Sequence, residues 1–216
     1  MTLTPVKIPI VAKKMFPNYI WDIATSEKVI YLTFDDGPTP EITNWTLDVL
    51  NQHNAKASFF CIGKNIEKHP EIFHKTLNNG HAIGNHTQNH IKGWKTKTKD
   101  YLDNISEAKN VIDMHVKNFG MTTLFRPPYG QITPKQGKQL ISLGYKIIMW
   151  DVLSFDWETS VNKETCLNNV LTKASAGSII VFHDSVKASK NMQYALPKVL
   201  EHFTKKGYTF KTLNDV

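Results

Sequence analysis

Apolar and polar positions change period repeatedly along this chain, and each change marks a boundary between elements. Residues 29–34 form an apolar, β-rich run, and residues 42–51 follow with apolar positions at helical spacing. Residues 57–61 read as a second buried strand. Residues 66–79 read as a helix closed by Gly80, the residue type suited to the left-handed position past a helix end. Residues 81–84 are a short strand, and residues 101–118 a longer helix with Leu102, Ile105, Ala108, Val111 and Ile112 on one face. Further strands are predicted over 124–126, 146–150 and 178–182, with helices over 134–142, 163–174 and 195–205, and 208–212 as a final strand. Residues 1–28 read as an irregular arm wrapping the core, because Pro5, Pro9 and Pro17 interrupt any long element.

Strand–helix alternation of this kind argues for parallel strands with helices outside. About seven repeats point to a barrel, although the alternation also fits a doubly wound sheet. In either architecture functional groups collect on loops beyond the C-terminal ends of the strands. No linker or internal repeat interrupts the pattern, so residues 1–216 are expected to be one domain, with the arm at 1–28 and the barrel at 29–212.

Composition narrows this picture. A hydrophobic fraction of 41% and a charged fraction of 21% are those of an ordinary globular chain. No apolar stretch approaches the roughly 20 residues of a membrane-spanning helix. Residues 1–14 lack the apolar core of a secretory signal, so the chain acts in the cytoplasm as given, or an export segment lies elsewhere. Cys61 and Cys166 are too few for a disulfide framework and lack metal-type spacing; Cys61 closes an apolar run as a small buried hydrophobe. The net charge of +7 weakly favours anionic substrates or surfaces. A nucleic-acid binder would cluster such charge with aromatics. The nearest approach, Lys92, Trp94, Lys95, Lys97 and Lys99, reads as a solvated loop, so no nucleic-acid partner is expected. A monomer is expected.

The candidate chemistry falls where the strands end. Asp35 and Asp36 follow the first strand. Adjacent carboxylates repel unless a cation or an arginine lies close, and a plain turn is the competing explanation. His86 and His90 follow the third strand at a spacing that lets both face one point. With one carboxylate from the aspartate pair they give a two-histidine, one-carboxylate set, able to bind and acidify water or polarise a carbonyl. Arg126 heads Arg126-Pro-Pro-Tyr-Gly130 after the fourth strand, placed to pair with the aspartate that does not bind metal. Asp151 and Asp156-Trp157 follow the fifth strand. His183-Asp184 follows the sixth and brings a titratable imidazole to the same rim.

Taken in order, Thr33-Phe-Asp-Asp-Gly37, His86-x-x-x-His90, Arg126-Pro-Pro-Tyr129, Asp156-Trp157 and Val181-Phe-His-Asp184 resemble the five motifs of the NodB-type polysaccharide deacetylases, carbohydrate esterase family 4. The resemblance covers residues 29–212, and Ala57-Ser-Phe-Phe60 and Gly80-His-Ala-Ile-Gly-Asn-His86 share it. It implies a distorted (β/α) barrel of the NodB-homology type, typically seven-stranded. It also implies one divalent metal ion, usually zinc with cobalt, nickel or manganese as alternatives, and removal of acetyl groups from a polysaccharide or oligosaccharide. By motif position Asp35 would be the general base, and Asp36, His86 and His90 the metal ligands. Arg126 would brace Asp35, and His183 would be the general acid oriented by Asp156. Trp157 and Val181 would line the acetyl pocket, and the Tyr129 backbone N–H would help hold the oxyanion.

Two departures from the family pattern stand out. Leu153 replaces the first carboxylate common in the fourth motif, and Val181 replaces a leucine in the fifth. Neither removes a proposed catalytic group. The expected substrates are N-acetylglucosamine-containing glycans of the chitin, chitooligosaccharide or peptidoglycan type, with O-acetylated xylan as the alternative. A carbohydrate-binding relative that has lost catalysis would lack a base, acid or ligand, and none is missing. A non-haem iron oxygenase shares the ligand set but has no need of the added acid–base groups.

Overall fold

Strand β1 (Val29–Asp35) is buried along its whole length, as its β-branched and aromatic run requires of a strand covered on both faces. The computed structural model describes residues 4–116 and 123–214. Its other strands are β2 (Ala57–Cys61), β3 (Ala82–Asn85), β4 (Leu124–Phe125), β5 (Lys146–Ile147), β6 (Val152–Leu153), β7 (Ile179–His183) and β8 (Thr209–Phe210). The sheet runs β5-β4-β3-β2-β1-β7-β6, with β8 added against the start of β1. Every pairing between these strands is parallel. This is the cyclic order of a (β/α) barrel opened between β5 and β6, so the alternation resolves as a distorted, curled barrel rather than a doubly wound sheet.

The N-terminal arm lies along the open seam. On one side Ile20 N–H donates to Ile147 O at 2.9 Å and Met149 N–H to Ile20 O at 2.7 Å. On the other, Ile8 N–H donates to Asp151 O at 2.9 Å and Leu153 N–H to Val6 O at 2.8 Å. These bonds satisfy backbone groups that an exposed sheet edge would leave open to another chain. The arm holds one short helix, α1 (Ile10–Met15), between Pro9 and Pro17.

The outer helices are α2 (Ile42–Gln52), α3 (Gly63–Lys68), α4 (Pro70–Asn78), α5 (Thr98–His115), α6 (Pro134–Ser142), α7 (Lys163–Lys173) and α8 (Ser189–Lys205). The main core lies between the sheet and α2, α4 and α8, where Leu32, Phe34, Phe59 and Phe182 meet Leu50, Phe73 and Leu196. Phe34 stacks on Phe59 with ring centres 5.0 Å apart.

The elements depart from the sequence reading at several boundaries. The helix expected over 66–79 is two helices. Pro70 has no N–H to donate and disfavours helical geometry in the residue before it, and His69 takes φ −135° and ψ 54°. The strand expected over 146–150 stops at Ile147, because the arm takes the N–H of Met149, and Val152 resumes as a separate strand against β7. Helix α8 starts at Ser189, well before residue 195, and buries Asn191 and Met192 in its added turn. The helix expected to end at residue 118 stops at His115, and residues 117 and 118 lie outside the described residues. Among the described residues no helix is long and apolar enough to cross a membrane.

Candidate active site

The sheet register places the candidate groups on one rim. Asp35, the last residue of β1, is level with Phe60 of β2 and His183 of β7. Asn85 of β3 is level with Phe125 of β4, so His86 and Arg126 leave their strands side by side. All of these are C-terminal strand ends.

Asp36 turns away from its neighbour because its backbone enters the left-handed region, φ 83°. Four more non-glycine residues of the site loops do the same: Thr87 at 65°, His90 at 54°, Tyr129 at 59° and Phe155 at 62°. Such conformations cost energy in β-branched and bulky residues, and they gather where geometry serves a site. The loop of Asp36 is held from three sides. Asn65 Nδ2 donates to Asp36 O at 2.7 Å. Gly37 N–H donates to Asp184 Oδ1 at 3.1 Å, and Thr43 Oγ1 donates to Asp184 Oδ2 at 2.5 Å. A Cβ on Gly37 would stand 2.1 Å from Asp184 Oδ2, so this approach requires glycine. Burial raises the Asp184 carboxyl to about 7 despite these bonds.

Asp36, His86 and His90 each offer one ligand atom, all within 4.8 Å of one another. His86 Nδ1 lies 2.8 Å from the Arg126 carbonyl oxygen. That bond makes Nδ1 the protonated nitrogen and leaves the Nε2 lone pair facing Asp36, the tautomer a metal ligand needs. Asp36 Oδ1 has His90 Nε2 at 3.2 Å and His86 Nε2 at 3.7 Å, yet this buried oxygen accepts no hydrogen bond. An orphaned carboxylate oxygen facing two imidazole nitrogens is a donor set that fits a divalent cation. Burial lowers His86 to about 4, favouring the neutral ligand form. Burial works to raise Asp36, but the nearby imidazoles of His90, His183 and His86 outweigh it and hold the carboxyl well below its usual range.

Asp35 has a different environment. Arg126, fully buried, donates from Nη1 to Asp35 Oδ1 and to Thr33 Oγ1, both at 2.7 Å. Arg126 Nη2 and Nε reach Met149 O at 2.9 Å and Ile148 O at 3.3 Å, and its guanidinium carbon sits 4.1 Å above the Phe60 ring centre. Every face of this arginine is engaged, so it holds Asp35 in one orientation.

His183 is the third centre. Its Nδ1 is 2.9 Å from Asp156 Oδ1, and its own N–H donates to Asp156 Oδ2 at 2.7 Å. Asp156 is in turn fixed by its N–H on Ser154 Oγ at 3.2 Å and by Asn191 Nδ2 on its carbonyl at 3.3 Å. Burial would lower the imidazole, but Asp156, and behind it Asp36 and Asp35, raise it to about 9. Trp157 stands edge-on to His183, ring centres 4.7 Å apart, and stacks on Phe155 at 5.1 Å. Val181, Leu153 and Phe155 form one apolar cluster, with Trp150 and Trp157 packed against it. Tyr129 is exposed, and its ring lies 4.6 Å from that of His90.

Asp35, Asp36, His86, His90, Arg126, Tyr129, Asp156, Trp157, Val181 and His183 therefore converge, and Asp151 does not. Its carboxylate takes Lys7 Nζ at 2.9 Å, Lys13 Nζ at 2.6 Å and Ser178 Oγ at 2.6 Å, and so serves the arm and the seam. The sequence reading assigned no role to Asn65, Thr43, Asp184 or Trp150. Their signal is weak, because a polar residue on a helix, as Asn65 and Thr43 are, reads as a solvated face, an aspartate just past a strand, as Asp184 is, reads as a turn, and a lone tryptophan reads as core.

Known proteins resemble this chain in sequence and in fold. Residues 22–148 match the family model described as polysaccharide deacetylase. A peptidoglycan-N-acetylglucosamine deacetylase of Bacillus cereus is 34% identical over 198 residues, 91% of each chain. A chitooligosaccharide deacetylase of Azorhizobium caulinodans is 35% identical over 162 residues, 75% of this chain and 76% of that one. The crystal structure of a peptidoglycan N-acetylglucosamine deacetylase superposes with a TM-score of 0.87 at 33% identity, covering 96% of both chains. With these matches spanning nearly its whole length, the chain belongs to the polysaccharide deacetylase family, carbohydrate esterase family 4, and is an enzyme of the N-deacetylase kind.

Proposed function

We propose that this protein hydrolyses the N-acetyl group of N-acetylglucosamine residues in a glycan of the peptidoglycan or chitooligosaccharide type. The observation that carries the reading is the meeting of one metal-type donor set, Asp36, His86 and His90, with two separately braced groups, Asp35 on Arg126 and His183 on Asp156. The names of the relatives support the substrate class.

Asp36, His86 and His90 would hold the divalent ion, for which zinc is the proposed identity given two imidazoles and one carboxylate. When bound, the ion supplies Lewis acidity that polarises the acetyl carbonyl and the attacking water. Asp35 takes the proton of that water, on the oxygen that Arg126 leaves free, as the water oxygen bonds to the carbonyl carbon. The Tyr129 N–H faces the negative charge that develops on the carbonyl oxygen. The C–N bond then breaks. The departing amine takes a proton from His183 Nε2, whose imidazolium form Asp156 favours at neutral pH. Trp157 and Val181 enclose the methyl group and disfavour longer or charged acyl chains.

The test is acetate release from N-acetylglucosamine oligomers and from peptidoglycan fragments. Chelation should abolish release on both, and added zinc or cobalt should restore it. Full activity in a demonstrably metal-free preparation would overturn the metal assignment, and absence of release from every N-acetylated glycan would overturn the activity.

A further inference from the structure

Lys92 carries a charge that the groups described so far do not use. Its Nζ lies 4.5 Å from the centre of the Tyr129 ring, whose centre is in turn 4.6 Å from that of His90. One aromatic ring therefore separates this ammonium from an imidazole of the ligand set. Tyr129 is 56% exposed, so the wall they share is open to a polymer lying across the rim.

Among the described residues no carboxylate comes within 4.0 Å of Lys92 Nζ. Lys99, in the first turn of α5, differs in pairing with Asp103 at 2.6 Å. The ring face holds the ammonium but does not neutralise it. The backbone beneath is fixed. Thr96 Oγ1 donates to Lys92 O at 2.8 Å, and Gln136 Nε2 donates to Gly93 O at 2.9 Å. A Cβ on Gly93 would stand 2.3 Å from Gln131 O, so this turn is docked closely on the segment behind it. Trp94 lies two residues further along the same turn. Its indole N–H is bound to Ile132 O at 3.0 Å, while the residue stays 66% exposed. An uncompensated cation on a fixed backbone, over an exposed aromatic ring, suits a sugar that bears an anion.

We propose that Lys92 determines specificity: it receives a carboxylate carried on a sugar next to the acetylated residue, and so favours carboxylated glycans over neutral ones of the same length. The proposal rests on the deacetylase reading above. A lysine ammonium acts here as a point charge, so the preference depends on the charge of the substituent and is screened by salt.

The probe is a tetrasaccharide alternating N-acetylglucosamine with N-acetylmuramic acid bearing free lactyl carboxylates, set against its methyl ester, which keeps the shape and loses the charge. Wild type should prefer the acid about tenfold in kcat/KM, mainly through KM, and less at high salt. Lys92→Met should bring the ratio of acid to ester close to one, and Lys92→Arg should keep it. Calorimetric binding of both compounds to the same proteins reads the preference without turnover. If neither compound is deacetylated, the catalytic reading fails, and the binding ratio still decides the role of Lys92. Three results overturn the proposal: no preference in wild type, a preference retained by Lys92→Met, or equal loss on acid and ester. The last would mean that Lys92 only props Tyr129.

Discussion

Asp35 and Asp36 are adjacent, yet their surroundings assign them different work. Asp35 is held by a fully buried arginine, while Asp36 presents an unpartnered oxygen to two imidazoles. Asp35→Asn should therefore keep its metal and its fold and lose kcat by about 10²–10⁴-fold, since an amide cannot take the proton. Asp36→Asn should lose metal affinity and regain part of its rate in excess metal. Metal content and kcat on the same two proteins decide between these jobs, and the reverse pattern would exchange them. His183 makes a separate demand. Its imidazole is raised to about 9, so the acid form persists at neutral pH and is lost as pH climbs through that value. The kcat profile should fall on its alkaline side near pH 9. Asp156→Asn removes the main raising influence and should move that limb down by a unit or more. A limb unmoved by that substitution would separate His183 from the proton transfer.

Most strands and helices were legible in the sequence because their apolar spacing is dictated by burial. The burial of β1, β2 and β7 as far as Phe182 reads directly as runs such as Val29-Ile-Tyr-Leu and Ile179-Ile-Val-Phe. The site was legible through residue types that a core does not need at strand ends: paired aspartates, spaced histidines and an arginine before two prolines. What stayed hidden depends on partners distant in sequence. The strand expected over 146–150 is cut short by an arm more than a hundred residues away, and no local pattern reports that. Pro70 could have been read as the break in the 66–79 helix, but the apolar period on either side, Ile66 then Ile72 and Phe73, masked it. The supports of the Asp36 loop were hidden for a similar reason. Asn65 and Thr43 sit on helices, where a polar residue gives no sign of pointing inward. The left-handed backbone of Asp36, His90 and Tyr129 is likewise unwritten locally, since aspartate and histidine tolerate it without signalling it as glycine does and tyrosine does not favour it.

At the scale of the molecule, the open seam between β5 and β6 joins the arm to the catalytic rim, and Asp151 ties them together. Lys7, Lys13 and Ser178 all converge on this buried carboxylate, and Lys13 also pairs with Asp22. Burial works to raise Asp151, but Lys13, Ser178 and Lys7 outweigh it and hold the carboxyl lowered, so it is charged at neutral pH. Asp151→Ala would leave the Lys7 ammonium without a carboxylate and the Lys13 ammonium with Asp22 alone. Removing one partner of a fully buried pair costs roughly 3–5 kcal/mol, and the water reached by both lysines cuts this to about 2 kcal/mol. In a chain of this size that loss lowers Tm by about 4–8 °C. Position in sequence alone puts Asp151 on the rim beside Asp156, which would make it part of the chemistry. The two roles diverge in measurement. A seam residue loses thermal stability while its metal content stays at wild-type level and kcat at 25 °C stays within about threefold. A residue touching substrate loses kcat by orders of magnitude at unchanged Tm. Thermal unfolding and turnover measured on Asp151→Ala separate them, and the bonds to Lys7, Lys13 and Ser178 place the expected outcome with the seam.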